Sequence, residues 1–306
     1  MLGCAGPLVG VVPGGVSAVA ARAPCRATAF VTNAFSGSVS TIDVQTRTKD
    51  PTDITVGSNP DRVAVTPDGK TVFVANSFSN SVSTIDVKTR TKNPTDIRVG
   101  PNPKGVAVTP DGKTAFVTNG NPDAQNIQNP GNSVSTIDVK TRTKNPTDIT
   151  VGSDPYDVAI TPDGKTAFVT NTESSSVSTI DVKTRTKNPA DIPIGPQLAP
   201  PNSSGPLGVA VTPDGKTAFV AYFFGFVSTI DVKTRTKNPT DIPVGASPFG
   251  VAVTPDGKTA FVVNSGLVGG DGASVSTIDV KTHTKNPTDI PVGPGPQWVA
   301  VTPCHR

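Results

Sequence analysis

Short runs of alternating apolar and polar residues, broken by turn-forming clusters, run through the chain from about residue 28 to its end. Over residues 105–152 the pattern reads GVAVTPDGKTAFVTN, a loop, and then SVSTIDVKTRTKNPTDITVG. It predicts four strands, Val106–Thr109, Ala115–Thr118, Val134–Val139 and Asp148–Val151. The link between the first two, Pro110-Asp111-Gly112-Lys113, is a tight turn in which proline presets φ and glycine accepts positive φ. The link between the last two, KTRTKNP, is polar and ends in Asn-Pro, a second turn signal. No segment shows the 3.6-residue period of an amphipathic helix.

This unit recurs. TIDV places its aspartate at Asp43, Asp86, Asp138, Asp181, Asp231 and Asp279, and TPDGKT begins at Thr66, Thr109, Thr161, Thr212 and Thr254. Four antiparallel strands repeated at a period near 43 residues predict an all-β β-propeller of six four-stranded blades, six being preferred to seven. A solenoid would use a different unit, with two or three strands or a strand and a helix. The chain ends in GPQWVAVTPCHR, a first strand with no successors, while the first AFVTN run lacks a well-formed strand before it. The expectation is that Trp298–Thr302 docks as the inner strand of the first blade and closes the ring, leaving no unpaired sheet edge.

The ends of the chain leave alternatives open. Residues 24–306 are expected to form the single propeller domain, and residues 1–23 a leader or disordered extension. Within the latter, VGVVPGGVSA (9–18) also matches the start of a repeat and admits the reading of a decayed strand. Cys25 and Cys304 each follow a proline and take the place of Asp68 in the regular repeat. Ring closure would bring the two turns together, so a Cys25–Cys304 disulfide is expected, typically worth about 2–4 kcal/mol. Two free turn thiols is the other reading.

Composition adds exclusions. Gly 29 and Pro 31 are more than a helical protein tolerates. A net charge of +3, from 27 basic and 24 acidic residues, is too even for a specific nucleic-acid binder. No apolar run is long enough to span a bilayer as a helix. Histidine occurs twice, as His283 and His305, and no nucleophile–His–acid set, haem-attachment motif or zinc motif is visible. The reading therefore assigns no catalytic residue, no metal and no cofactor. The six TIDV aspartates are expected to bond nearby turn backbone, and the PDG aspartates to form turns rather than bind calcium.

The linked motifs PxGVAVTPDGKT, AFVTN and VSTIDV resemble the YVTN β-propeller repeat family, which includes YncE-like proteins, over residues 28–303. The resemblance implies a bacterial or archaeal protein that is secreted, periplasmic or at the cell surface, commonly seven-bladed, and more often a binding protein than an enzyme. It also reaches propeller enzymes, the lactonases, lyases and quinoprotein dehydrogenases, which supply the alternative reading.

Departures from the repeat length fall in the loops 120–133, 196–207 and 265–274. All join the second strand to the third, or one blade to the next, and emerge on one face of an up-and-down blade. Loops on a rigid scaffold are where binding resides. On this face the predicted contact residues are Arg62, Lys104, Tyr156, Tyr222, Phe224, Phe249 and Trp298, for an unidentified protein or small-molecule ligand. On the opposite face the KTRTK loops form a ring of cations, which suits an anionic envelope polymer or is balanced by nearby aspartates. A monomer is expected.

Overall fold

The computed structural model describes residues 28–121, 131–195, 205–266, 273–293 and 295–299. The described residues form strands and turns without a helix, arranged as six antiparallel sheets, one per repeat. Blade 3 shows the plan. Its inner strand Pro103–Val108 pairs with Thr114–Asn119, which pairs with Ser133–Asp138. The outer strand comes in two pieces, Thr143–Lys144 and Ile149–Thr150, both paired to Ser133–Asp138. It thus begins inside the segment read from sequence as a loop. The interruption falls at Pro146, which has no N–H for the ladder. Just before it, Asn145 still donates its backbone N–H to Thr136 O at 2.8 Å.

Both ends of the blade follow from this register. Val139 N donates to Lys113 O, so the PDGK turn and the KTRTK turn share one face. Gly120 N donates to Asn102 O, which puts the variable loops together on the other. The TIDV aspartates cap the KTRTK turn: Asp138 Oδ1 accepts from Thr141 N at 2.7 Å and from the Thr141 hydroxyl at 2.9 Å. Asp111 Oδ1 accepts from the Thr109 hydroxyl and Lys113 N in the other turn.

The aromatic residue of AFVTN fills the seam to the next blade. Phe73 packs with Val106, Ala115 and Val117, Phe116 with Val158 and Ala167, and Phe219 with Val251 and Ala260. A polar chain runs beside this core. Asn119 Nδ2 donates to Ser133 and Ser135 Oγ, Ser135 Oγ to Asp148 Oδ1, and Lys144 Nζ lies 2.6 Å from that same carboxylate. The second lysine of each KTRTK loop is therefore neutralised within its own blade. The arginine reaches the blade before: Arg90 pairs with Asp50, while Arg142 and Arg235 donate to Asn93 and Asn188. Each holds positive φ, 56° at Arg142, in the tight turn.

Blade 1 has no inner strand among the described residues. Gln297 and Trp298 stand where that strand would enter. A Cβ on Gly250 would lie 2.6 Å from Gln297 O, as one on Gly208 would lie 2.5 Å from Phe249 O in the preceding step of the ring. No strand pairing joins the described residues 295–299 to Thr28–Asn33. At the edge of blade 6 toward blade 1, Ile290 is 48% exposed against 8% for its counterpart Ile149. Residues 1–27 and 300–306, with Cys25, Cys304 and the extension 1–23, lie outside the described residues.

The turn aspartates set an acid limit. Hydrogen bonds from Thr89 and Thr141 backbone and hydroxyl hold Asp86 and Asp138 below the ordinary value of 3.8, and the Thr109 hydroxyl does the same for Asp111. A depressed folded pKa gives stability that is complete above the unfolded value and is lost as pH falls through the folded one. Thermal melts should therefore show no loss of stability from neutrality down to about pH 4 and fall steeply below it. A melting temperature already falling between pH 7 and pH 5 would contradict this assignment.

Candidate functional site

Five inner strands open with proline and two further residues: Pro60-Asp61-Arg62, Pro103-Lys104-Gly105, Pro155-Tyr156-Asp157, Pro206-Leu207-Gly208 and Pro248-Phe249-Gly250. Pro296-Gln297-Trp298 repeats the pattern at the closing position. In each of the five strands the register shifts directly after the proline, so the two residues lie in a bulge at the channel mouth. Threonine hydroxyls tie these bulges from blade to blade. Thr118 Oγ1 accepts from Gly105 N and donates to Tyr156 O, and Thr170 Oγ1 accepts from Asp157 N and donates to Leu207 O.

The third residue of the pattern is Arg62, Gly105, Asp157, Gly208, Gly250 and Trp298 around the ring. Where it is glycine, backbone approaches too closely for a side chain: a Cβ on Gly105 would lie 2.8 Å from Tyr156 O. The three glycines leave room for three large side chains, and these meet. Arg62 Nη2 lies 3.0 Å from Asp157 Oδ2, joining blade 2 to blade 4. Its guanidinium lies over the Trp298 ring, and Trp298 is stacked beside Tyr156 with ring centres 6.5 Å apart.

Asp157 is 3% exposed. Its Oδ1 accepts from Val158 N at 2.7 Å and its Oδ2 from Val209 N at 2.9 Å. Burial pushes the Asp157 carboxyl up and the Arg62 guanidinium down, and their mutual attraction opposes both shifts. Burial likewise raises Asp61 and the Tyr156 phenol. Lys104 Nζ lies 3.0 Å from Asp154 Oδ1 and 4.8 Å from the centre of the Tyr156 ring. Arg62 Nε and Trp298 Nε1 are buried and make no hydrogen bond, and the buried Arg62 Nη2 has only its ion pair with Asp157.

Of the predicted contact residues, Arg62, Lys104, Tyr156 and Trp298 therefore come together at the mouth. Phe249 and Phe224 belong to a separate group, both edge-on to Phe223 at about 6 Å. Tyr222 requires a correction, because it is 0% exposed and stacked on Phe226 with centres 4.5 Å apart. It occupies the position of Asn119, the last residue of its strand, where the side chain packs inward rather than out of a loop. Sequence reasoning missed Asp157, although reading the column Arg-Gly-Asp-Gly-Gly-Trp would have exposed it. It also missed Phe35 and Phe78, which hold the loop-tip position in blades 1 and 2. Phe35 is fully exposed, Phe78 is 77% exposed, and Phe224 at the corresponding tip of blade 5 is 51% exposed.

Grooves also open at the outer rim between neighbouring blades. One of about 690 Å³ is lined by residues 188–193 of blade 4 and 234–237 of blade 5. They repeat the seam itself. Among the described residues no three His, Cys, Asp or Glu side chains gather to hold a metal ion.

A six-bladed all-β ring with a filled channel mouth defines the protein's class, the β-propellers. Residues 1–130 match the family model described as YNCE-like beta-propeller, and this part of the chain is similar to that family. Two solved structures share the fold. One is the Kuenenia stuttgartiensis hydrazine synthase, at 24% identity and a TM-score of 0.73 over 89% of this chain and 85% of that one. The other is a functionally unknown protein from Desulfotomaculum acetoxidans, at 17% identity and a TM-score of 0.69 over 85% and 78%. No curated protein matches the chain.

Proposed function

We propose that this propeller is a non-enzymatic binding scaffold that engages a protein partner through its variable-loop face. The observation that carries the reading is the exposure of Phe35, Phe78 and Phe224 at corresponding loop tips of blades 1, 2 and 5. A phenyl ring left in water forgoes roughly 1.5–3 kcal/mol of burial energy. Three such rings on one face of a rigid ring give a partner three anchors. The rest of each blade supplies geometry: the seam phenylalanines of blades 2 to 5 are buried and the turn aspartates are committed to turn backbone. The resemblance of the repeats to secreted and envelope propellers supports a location in the bacterial envelope or outside the cell.

The test is capture from envelope and secreted fractions, using the intact protein and the triple variant Phe35→Ser, Phe78→Ser, Phe224→Ser. All three positions are at the surface, so the variant should melt as the parent does. A partner held by the parent and lost from the variant supports the reading. A partner held equally by both would remove these rings from the interface.

A further inference from the structure

Beyond the partner face, the channel mouth has a chemistry of its own. The Nε and Nη2 atoms of an arginine lie on one edge of the guanidinium, the edge that receives a carboxylate side-on through two parallel hydrogen bonds. In Arg62 both atoms are buried; Nε makes no hydrogen bond, and Nη2 has only its ion pair with Asp157. The nearest anion, Asp157, is 3.0 Å from Nη2, but its oxygens are already directed at the backbone N–H groups of Val158 and Val209. Trp298 Nε1, on the indole over the same guanidinium, is a second buried donor without an acceptor.

A buried donor left without an acceptor forfeits its hydration without compensation and is destabilising. Arg62 Nη2 has the Asp157 carboxylate 3.0 Å away, while Arg62 Nε and Trp298 Nε1 have no acceptor. A carbohydrate would bring hydroxyl donors as well as acceptors. A phosphate would bring a second negative charge beside Asp157 and Asp61. A single planar carboxylate supplies two acceptor oxygens and one charge.

We propose that the channel mouth binds a small monocarboxylate, held side-on by the Nε–Nη2 edge of Arg62, with the Trp298 indole as the lid over it. Asp157 fixes the guanidinium from across the channel, and Tyr156 and Lys104 form the wall beside the indole. Entry requires the indole to lift from the guanidinium, because the donor atoms are covered in the closed arrangement. The site is independent of the loop-tip phenylalanines, so it stands or falls separately from partner capture.

Trp298 is the only tryptophan in the chain, so intrinsic indole fluorescence reads this site alone. The experiment titrates the full chain with sodium propionate against sodium chloride at matched ionic strength, with propionamide as the uncharged isostere. The expected result is a saturable change in Trp298 emission with propionate and none with chloride or propionamide. Arg62→Lys keeps a charge beside Asp157 but removes the two-donor edge, and should weaken the response by roughly tenfold or more. A response to propionamide equal to that of propionate, or an unchanged titration in Arg62→Lys, would overturn the assignment. Absence of any saturable response in the parent protein would overturn it as well, without reference to how the variant folds.

Discussion

Replacing Asp157 by alanine should cost the protein about 3–5 kcal/mol, the loss characteristic of a buried ion pair stripped of one partner. The size follows from what is left behind. Asp157 is 3% exposed, and it is the anion within ion-pair distance of a guanidinium that is itself largely covered. Alanine would leave that cation desolvated and uncompensated, and it would also strip acceptors from Val158 N and Val209 N. Against a typical total of about 5–15 kcal/mol this is a large fraction of the stability. Urea denaturation should show the midpoint moving sharply with little change in slope. The double variant Asp157→Ala, Arg62→Met removes the stranded charge and should recover a substantial part of the loss. If Asp157→Ala shifts stability by less than about 1 kcal/mol, the pair is behaving as a solvated surface bridge and the channel mouth is wetter than its geometry indicates.

The contrast between the pair and the repeat explains what the sequence disclosed. The blade is legible because the levels agree from copy to copy. Alternation marks the strands, Pro-Asp-Gly marks one turn, and the TIDV aspartate caps the other through Thr89 or Thr141. Six statements of one pattern leave little room for a different fold. The split outer strand escaped, because two-residue pieces held by Asn145 and separated by Pro146 have no alternation to detect. The channel mouth was half legible. Arg62, Tyr156 and Trp298 stand out as departures from the repeat, but Asp157 does not. Its partner Arg62 is nearly a hundred residues away and two blades across, and only the closed ring places them in contact. Tyr222 failed for the opposite reason. An aromatic in a loop-like string resembles a surface contact, yet its register against Phe226 makes it the end of a strand.

The same reasoning makes the seams unequal, and Phe116 and Phe261 measure the inequality. Both are the phenylalanine of AFVTN or its near-copy, in identical backbone positions paired to Thr136 and Thr277. Phe116 is fully buried against Val158, Ala167 and Val169 of blade 4. Phe261 is half-buried and belongs to the blade that faces the seam with blade 1, where Ile290 is 48% and Val31 44% exposed. Phe116→Ala should therefore cost about 3–5 kcal/mol, the transfer energy of the ring together with the cavity it leaves. Phe261→Ala should cost about half as much or less, because its ring gives up less surface to water in the folded state. Equilibrium denaturation of the two variants in parallel decides it. Equal losses would mean that blade 6 is packed against blade 1 as tightly as blade 3 is against blade 4, with the ring closed at full strength. A clear gap would locate the weakest seam of the circle between blades 6 and 1.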